Sequence, residues 1–408
     1  MKHKFKYLIS IVIVSSFLLG FSNKVIALSK ENIIYKNIYI EDIDVSFLNM
    51  KDAIDLVKSK YKEKTIKLTY EDKTYTLSPK DIDLSFNIDK AVKKAFLYTR
   101  HDDIFTNVKR KFNLRLKDKN KIKLVSTYNE YKLSSIINNI CKDIDIEKTD
   151  ATININDNGS IKRTKAKNGK KVNKINLKET IYDMIVNKNL SDINIPVDIT
   201  TPKISTEDVK SINTILGQFS TTFNHTTSRG SNINIAGKST SDKLIMPHDE
   251  FSYNKSTGSR TWHNGYKTAK VIIGGKYVNG EGGGVCQVST TIYNAALISG
   301  MDITEVHNHT FASRYAPIGR DAAVSYGYTD FKFQNPLKHP IYIKNIVNNG
   351  VITSKIYGCD EDREKIYITT KTIYEKNKIK VDTLRIYLDE EGNKIREEIV
   401  NKNVYKKK

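Results

Sequence analysis

Cysteine is scarce in this sequence: Cys141, Cys286 and Cys359 are the three thiols in 408 residues. An odd, widely spaced set excludes the disulfide framework that staples small secreted domains. Long apolar runs are lacking too. The one candidate, Tyr7–Phe21, falls short of the ~20 residues a membrane-spanning helix needs. No cysteine or histidine spacing of the zinc-binding kind is present, and no paired acids of the glycosidase kind stand out in the first half. The net charge is +21 and the isoelectric point about 9.5, yet the lysines are spread along the whole chain. Without an arginine-rich, aromatic-laced patch, nucleic acid is not an expected partner and a solvated basic surface is the simplest reading.

What is present begins with a basic start, Met1–Lys6, ahead of that apolar run, followed by Val25-Ile26-Ala27 at the spacing a signal peptidase prefers. Residues 1–28 therefore read as a signal peptide, with an uncleaved membrane anchor as the alternative. Either way the rest lies outside the cytoplasmic membrane and meets the membrane only through this segment. The polyanions available there are cell-wall polymers and lipid head groups.

Residues 29–203 read as an α+β module. Ile38–Val45 alternates like a strand, and Asn49 caps a helix with Ala53, Ile54 and Val57 on one face. Paired strands are expected at Ile66–Tyr70 and Lys73–Leu77. A further hairpin is expected around Asp157-Asn158-Gly159, and helices carry Ala91–Phe96 and Leu177–Val186. Cys141 falls on the apolar face of Leu133, Ile136, Ile137 and Ile140 and reads as core. Pro196 and Pro202 mark a boundary near residue 200. A second α+β domain is expected over 204–360, and a β-hairpin extension over 361–408.

The second domain is organised around Gly282-Gly283-Gly284-Val285-Cys286-Gln287. Three glycines let the main chain bend and approach a ligand closely. Val285, Val288, Ile292, Ala295 and Ala296 then recur at helical spacing, and Gly300 supplies a stop. Cys286 is thus expected at a helix N-terminus, where unpaired N–H groups and the helix dipole favour a thiolate. The N–H groups around Gly283, Gly284 and Gln287 are candidates for an oxyanion hole. The opposing reading makes Cys286 a small core residue under a glycine corner. Ser289, Thr290 and Thr291 read as first-turn capping residues.

His309 is the candidate base, since it follows a strand at Asp302–Val306 that can return the chain toward Cys286. His307, two residues away, would face the other side of an extended segment. Asp321 can orient the imidazole, and Arg260 or Arg320 can grip a substrate carboxylate; structural salt bridges account for each equally well. Trp262, Tyr266 and Tyr315 line a groove or pack. Cys286, His307 and His309 do not complete a four-ligand zinc set, so neither a metal nor another cofactor is expected.

The stretches PHDEFSYN, GSRTWHNGY, GGGVCQVSTTIYNAALISGMDI, HNHTFASRYAPIGRDAAV and DFKFQN resemble the VanW family, first associated with vancomycin-resistance gene clusters. The first half resembles, through looser patterns such as AKNGKKVNKINLKETI and INIPVDITTPKIS, the peptidoglycan-binding-type modules that precede catalytic domains in exported Gram-positive wall proteins. Some VanW-family members are understood as cysteine-dependent L,D-transpeptidases that make 3-3 peptidoglycan cross-links. By motif, the resemblance puts the nucleophile on Cys286 and the histidine on His309. It departs at Val306, where the family often has an arginine, and at Thr310, usually a serine. The resemblance implies peptidoglycan stem peptides as substrate. A non-catalytic wall-binding or resistance-accessory protein and a cysteine carboxypeptidase or amidase are the rival readings.

Overall fold

The chain alternates short helices with small, mostly antiparallel sheets, seen in a computed structural model that describes residues 32–61, 64–273 and 276–407. The segment expected as signal or anchor, residues 1–28, lies outside these. Among the described residues no helix is long and apolar enough to cross a membrane. The mixed α+β class expected from the alternating periodicities is what the fold displays.

Two compact units divide the chain: one takes in the chain up to Glu147 together with Gly169–Thr200, the other Lys148–Asn168 and the chain from Thr201 onward. In the first unit, helix α1 (Met50–Lys60) begins where the Asn49 side chain accepts the Asp52 N–H. It packs with α2 (Ile88–Leu97) over Ile38, Ile40, Ala53, Val57, Val92 and Ala95. Helix α3 (Ile104–Arg115) follows, capped by Asp103. A second aliphatic cluster joins α4 (Glu130–Ile144) and α5 (Lys174–Asn187) to the antiparallel strands Ile66–Tyr70 and Lys73–Leu77. Cys141 is in that cluster, 3% exposed.

The second unit opens with the hairpin Thr152–Ile155 and Ile161–Thr164, whose Ile155 packs on Ile212, Tyr342 and Tyr357. After α6 (Thr206–Ser211), Thr214–Thr222 is an edge of a four-stranded antiparallel sheet that continues through Val351–Gly358, Ile341–Asn348 and Lys243–Ile245. Helices α7 (Ser228–Ser239) and α8 (Tyr253–Thr257) precede the hairpin Thr268–Ile273 and Lys276–Glu281. Helix α9 (Val285–Ile298) runs through the core, and its residues Gln287–Leu297 are all buried. A helix enclosed on all sides must find partners for its polar side chains as well as bury its apolar ones, and α9 carries both. Gly217 allows its end to come close: a Cβ there would meet Ser299 Oγ at 2.5 Å.

Beyond residue 360, the sequence pattern predicts strands at 365–370, 383–388 and 394–400, and the chain forms three longer antiparallel strands there, Lys365–Tyr374, Lys378–Leu388 and Lys394–Lys406. This sheet is not peripheral. Val381, Leu384, Tyr387 and Tyr405 are buried, and Arg385 donates to Met301 O at 2.7 Å.

Candidate active site

Cys286 is the second residue of α9, whose N-cap Gly284 has φ +110°. That angle is open to glycine and strained for other residues. The preceding turn is pressed between two neighbours. A Cβ on Gly284 would meet Arg229 Cγ at 2.8 Å, and one on Gly283 would meet Lys270 O at 2.6 Å. Asn232 of α7, fully buried, ties the turn down by donating to Gly283 O (2.9 Å) and Lys267 O (2.8 Å). The helix start is therefore fixed from two sides.

Cys286 as a residue is half-buried. Its thiol lies 3.5 Å from both Val324 O and Val324 N. Burial pushes the thiol pKa up, but a hydrogen bond and charge from His309, the Val324 N–H and the charge of Arg260 outweigh it, leaving the thiol below its ordinary value. Such a thiol is ionised more readily than a free one, which is what nucleophilic chemistry needs.

His309 reaches this point on the segment after the strand Asp302–Glu305. Its Nδ1 lies 2.5 Å from Asp321 Oδ2, and its backbone N–H donates to the same oxygen at 2.9 Å. Burial opposes protonation of the ring, but the bonds to Asp321 and Cys286 prevail and raise its pKa to about 10. Thiolate and imidazolium thus stabilise one another as a pair. Tyr315 stands edge-on to the imidazole at 6.4 Å between centroids. His307 is turned outward, 3.1 Å from Glu305 Oε1.

The residues singled out by sequence fall into three groups. Cys286, His309 and Asp321 come together. Arg260 borders them: it lies 5.2 Å over the Tyr253 ring, donates to Asn254 and Thr257, and its buried Nε has no hydrogen-bond partner among the described residues. Gln287, Arg320 and Tyr266 are engaged in packing, whereas Trp262 is exposed. Gln287 is buried, donating to Thr221 Oγ1 (3.0 Å) and Thr222 O (2.8 Å) while accepting from Arg229 (2.8 Å). Arg320 donates to Asn294 Oδ1 at 2.7 Å and covers the Phe219 ring. Tyr266 is 1% exposed.

Ser289, Thr290 and Thr291 are not first-turn caps. The helix starts four residues earlier than Ser289, so these hydroxyls lie deeper and bond elsewhere. Ser289 donates to Ala322 O at 2.6 Å and Thr290 accepts the Ala322 N–H at 3.0 Å, lashing α9 to the segment that bears Asp321. Thr291 donates to Gln287 O, as a hydroxyl within a helix commonly does.

One site residue gave no clear sequence signal. Tyr405, fully buried, donates its hydroxyl proton to Asp321 Oδ1. Its trace in the sequence is the alternation of buried Asn403 and Tyr405 with exposed Lys402, Val404 and Lys406.

Beside Arg260 a cleft of about 580 Å³ is lined by Asn254, Lys255, Glu305, Tyr326, Tyr328 and Lys332, among others. Burial opposes ionisation of Glu305, but Lys332, the Asp330 N–H and His307 hold its carboxyl down to about 2. Elsewhere, His339, Cys359 and Glu361 offer three donors within 4.8 Å of one another. A closed structural zinc site uses four.

A thiol at a helix N-terminus, an imidazole on it and a carboxylate behind the imidazole define the class of thiol–imidazole–carboxylate centres. A family model described as "VanW like protein" matches residues 228–357, which hold all three groups. Another, described as "Putative peptidoglycan binding domain", matches residues 75–194. "Uncharacterized protein YoaR" of Bacillus subtilis (strain 168) is 36% identical over 208 residues, covering 50% of this chain and 68% of that protein. "Vancomycin B-type resistance protein VanW" of Enterococcus faecalis (strain ATCC 700802 / V583) is 26% identical over 141 residues, or 33% of this chain and 51% of that protein. No solved structure matches. The chain belongs to the VanW-like family and carries a domain of the peptidoglycan-binding family ahead of its VanW-like domain. It is a cell-wall-associated, extracytoplasmic protein with peptidoglycan as its partner.

Proposed function

We propose that the chain is a cysteine-dependent L,D-transpeptidase that forms 3-3 cross-links in peptidoglycan through a thioester on Cys286. The observation that carries this reading is the thiol held below its ordinary pKa at the start of α9 by an imidazole that Asp321 orients.

The Cys286 thiolate attacks the carbonyl carbon between an L-centre and the terminal D-residue of a tetrapeptide stem. A C–S bond forms and the carbonyl π pair moves to oxygen. Val285 and Gln287 donate their N–H groups to Gly282 O and Gly284 O, so the Cys286 N–H is the first-turn donor assigned to that oxyanion. Collapse re-forms the carbonyl and breaks the C–N bond. The His309 imidazolium gives its proton to the departing amine, and D-Ala leaves. The side-chain amine of a neighbouring stem then attacks the thioester, passes a proton to the now neutral imidazole, and the C–S bond breaks to restore the thiolate. Arg260 holds the substrate carboxylate, and the cleft beside it takes the stem. The domain over residues 75–194 keeps the enzyme on its polymer and raises the local substrate concentration.

The test is a muropeptide profile by mass spectrometry. The purified protein is incubated with tetrapeptide-rich peptidoglycan and compared with Cys286→Ala. New 3-3 dimers that vanish in the variant uphold the reading. An unchanged profile from a protein that still pellets with the wall leaves a binding protein instead, and net loss of the terminal D-residue without dimers leaves a carboxypeptidase.

A further inference from the structure

The sheet of residues 365–406 lies wholly beyond the 228–357 span matched by the VanW-like model. It nevertheless grips the loop that carries both His309 and Asp321. Lys406 N donates to Thr310 O at 2.8 Å. Asn308 Nδ2 donates to Val404 O at 2.9 Å. Gly319 O accepts from Thr383 Oγ1 (2.7 Å) and Asn403 Nδ2 (2.8 Å), while Gly319 N donates to the Tyr405 hydroxyl at 3.1 Å. The approach is close enough that a Cβ on Gly319 would lie 2.6 Å from Val381 Cγ1, and its φ of +87° calls for glycine as well.

Tyr405 completes this contact with Asp321. One carboxylate oxygen, Oδ2, is taken by His309 N and Nδ1; the other, Oδ1, by the Tyr405 hydroxyl. Burial and the Asp321 charge hold the Tyr405 phenol far above its usual pKa, so it stays protonated and acts as the donor. Both oxygens are thereby fixed in a buried setting where an unmatched one is costly.

We infer that Tyr405 is a positioning residue for the thiol–imidazole pair, acting through Asp321, and that the 365–406 sheet is part of the working site. This rests on the thiolate reading of Cys286. Removing the hydroxyl leaves Oδ1 buried without its donor, which disfavours the Asp321 negative charge and weakens its hold on protonated His309. The imidazolium then loses its proton at lower pH, and the thiol gains one at higher pH. The pH range of the ion pair narrows from both ends.

The experiment compares wild type, Tyr405→Phe and Tyr387→Phe. The last removes a buried hydroxyl in the same sheet that bonds Glu398 and not Asp321. The rate of iodoacetamide alkylation at Cys286 is followed by mass spectrometry across pH, beside the thermal midpoint of each protein. Tyr405→Phe is expected to slow alkylation at neutral pH roughly tenfold, the size of one lost bond to a charged group, while Tyr387→Phe keeps the wild-type profile. In an Asp321→Asn background, Tyr405→Phe should have a much smaller effect, because its route through the Asp321 charge is gone and what remains is the lost acceptor for the Gly319 N–H. A Tyr405→Phe profile that superimposes on wild type, or an effect of equal size in the Asp321→Asn background, overturns the inference. A wild-type Cys286 that titrates as an ordinary thiol overturns the thiolate reading itself, whatever Tyr405 does.

Discussion

Cys141 and Cys286 both sit on helices, one in each unit, and their surroundings drive them in opposite directions. Cys141 is near the C-terminal end of α4, among Leu133, Ile137 and Ile140, and burial pushes its thiol pKa up. Cys286 is at the N-terminal end of α9, where the dipole has the opposite sign, and its thiol is pulled down. Their environments differ in kind as well. Among the described residues of the first unit, Thr99 is the buried polar side chain; the second unit buries Asn232, Gln287, Thr290, Asn294 and Asp321 among many others. Buried polar groups need partners and fix geometry, so they are worth their cost where a few atoms must be held in place. The first unit is held by aliphatic packing, which needs no such precision.

The largest effect that would break this comparison is on transfer. Cys286→Ala should lower 3-3 dimer formation by at least ~10⁴-fold in the muropeptide assay, as loss of a covalent nucleophile does. Next comes the base: His309→Ala should cost about 10²- to 10⁴-fold in the same assay. With the wild-type protein, alkylation should separate the two thiols by pH. Cys286 should label through neutrality, because its proton is lost below the usual thiol range, while Cys141 stays protected until the chain unfolds. Transfer should decline on the acid side as the Cys286 thiolate is protonated, and above about pH 10 as His309 loses its proton and can no longer serve the leaving amine. Gly283→Ala should lower stability by about 1–3 kcal/mol in a denaturant titration, the usual cost of forcing atoms into filled space. Cys141→Ala should be the smallest, keeping transfer within about twofold of wild type; a large loss there would erase the distinction between the two thiols.

Local order was readable where it follows from local pattern. The strand pair Ile66–Tyr70 and Lys73–Leu77, the Asn49 cap and the helix from Val285 to its stop at Gly300 all come from periodicity and capping within a few residues. The juxtaposition of His309 with Asp321 is different. It depends on how the chain returns from the strand Asp302–Glu305; motif resemblance points to His309, while Asp321 rests on its place beside a glycine turn, with a structural salt bridge as the equal alternative. Tyr405 lay beyond either source, because its contact joins residues 84 apart and depends on the register of a sheet. The cap reading of Ser289 and Thr290 comes from residue type, since hydroxyl side chains near a helix start commonly cap it, and the sequence does not show that they lie a full turn inside. Their true partner, Ala322, is a long-range one.

The grip of the strand Lys394–Lys406 on Gly319 and Asp321 also sets an order in time. A chain is made from its N-terminus, and its domains fold as they become complete. Cys286 and His309 therefore exist well before Tyr405 does. Until that strand arrives, Asp321 lacks one of its three donors and the loop bearing His309 is unclamped. On the role inferred for Tyr405, nascent chains would carry a thiol that lacks its full support, and its reactivity would come as a late step of maturation.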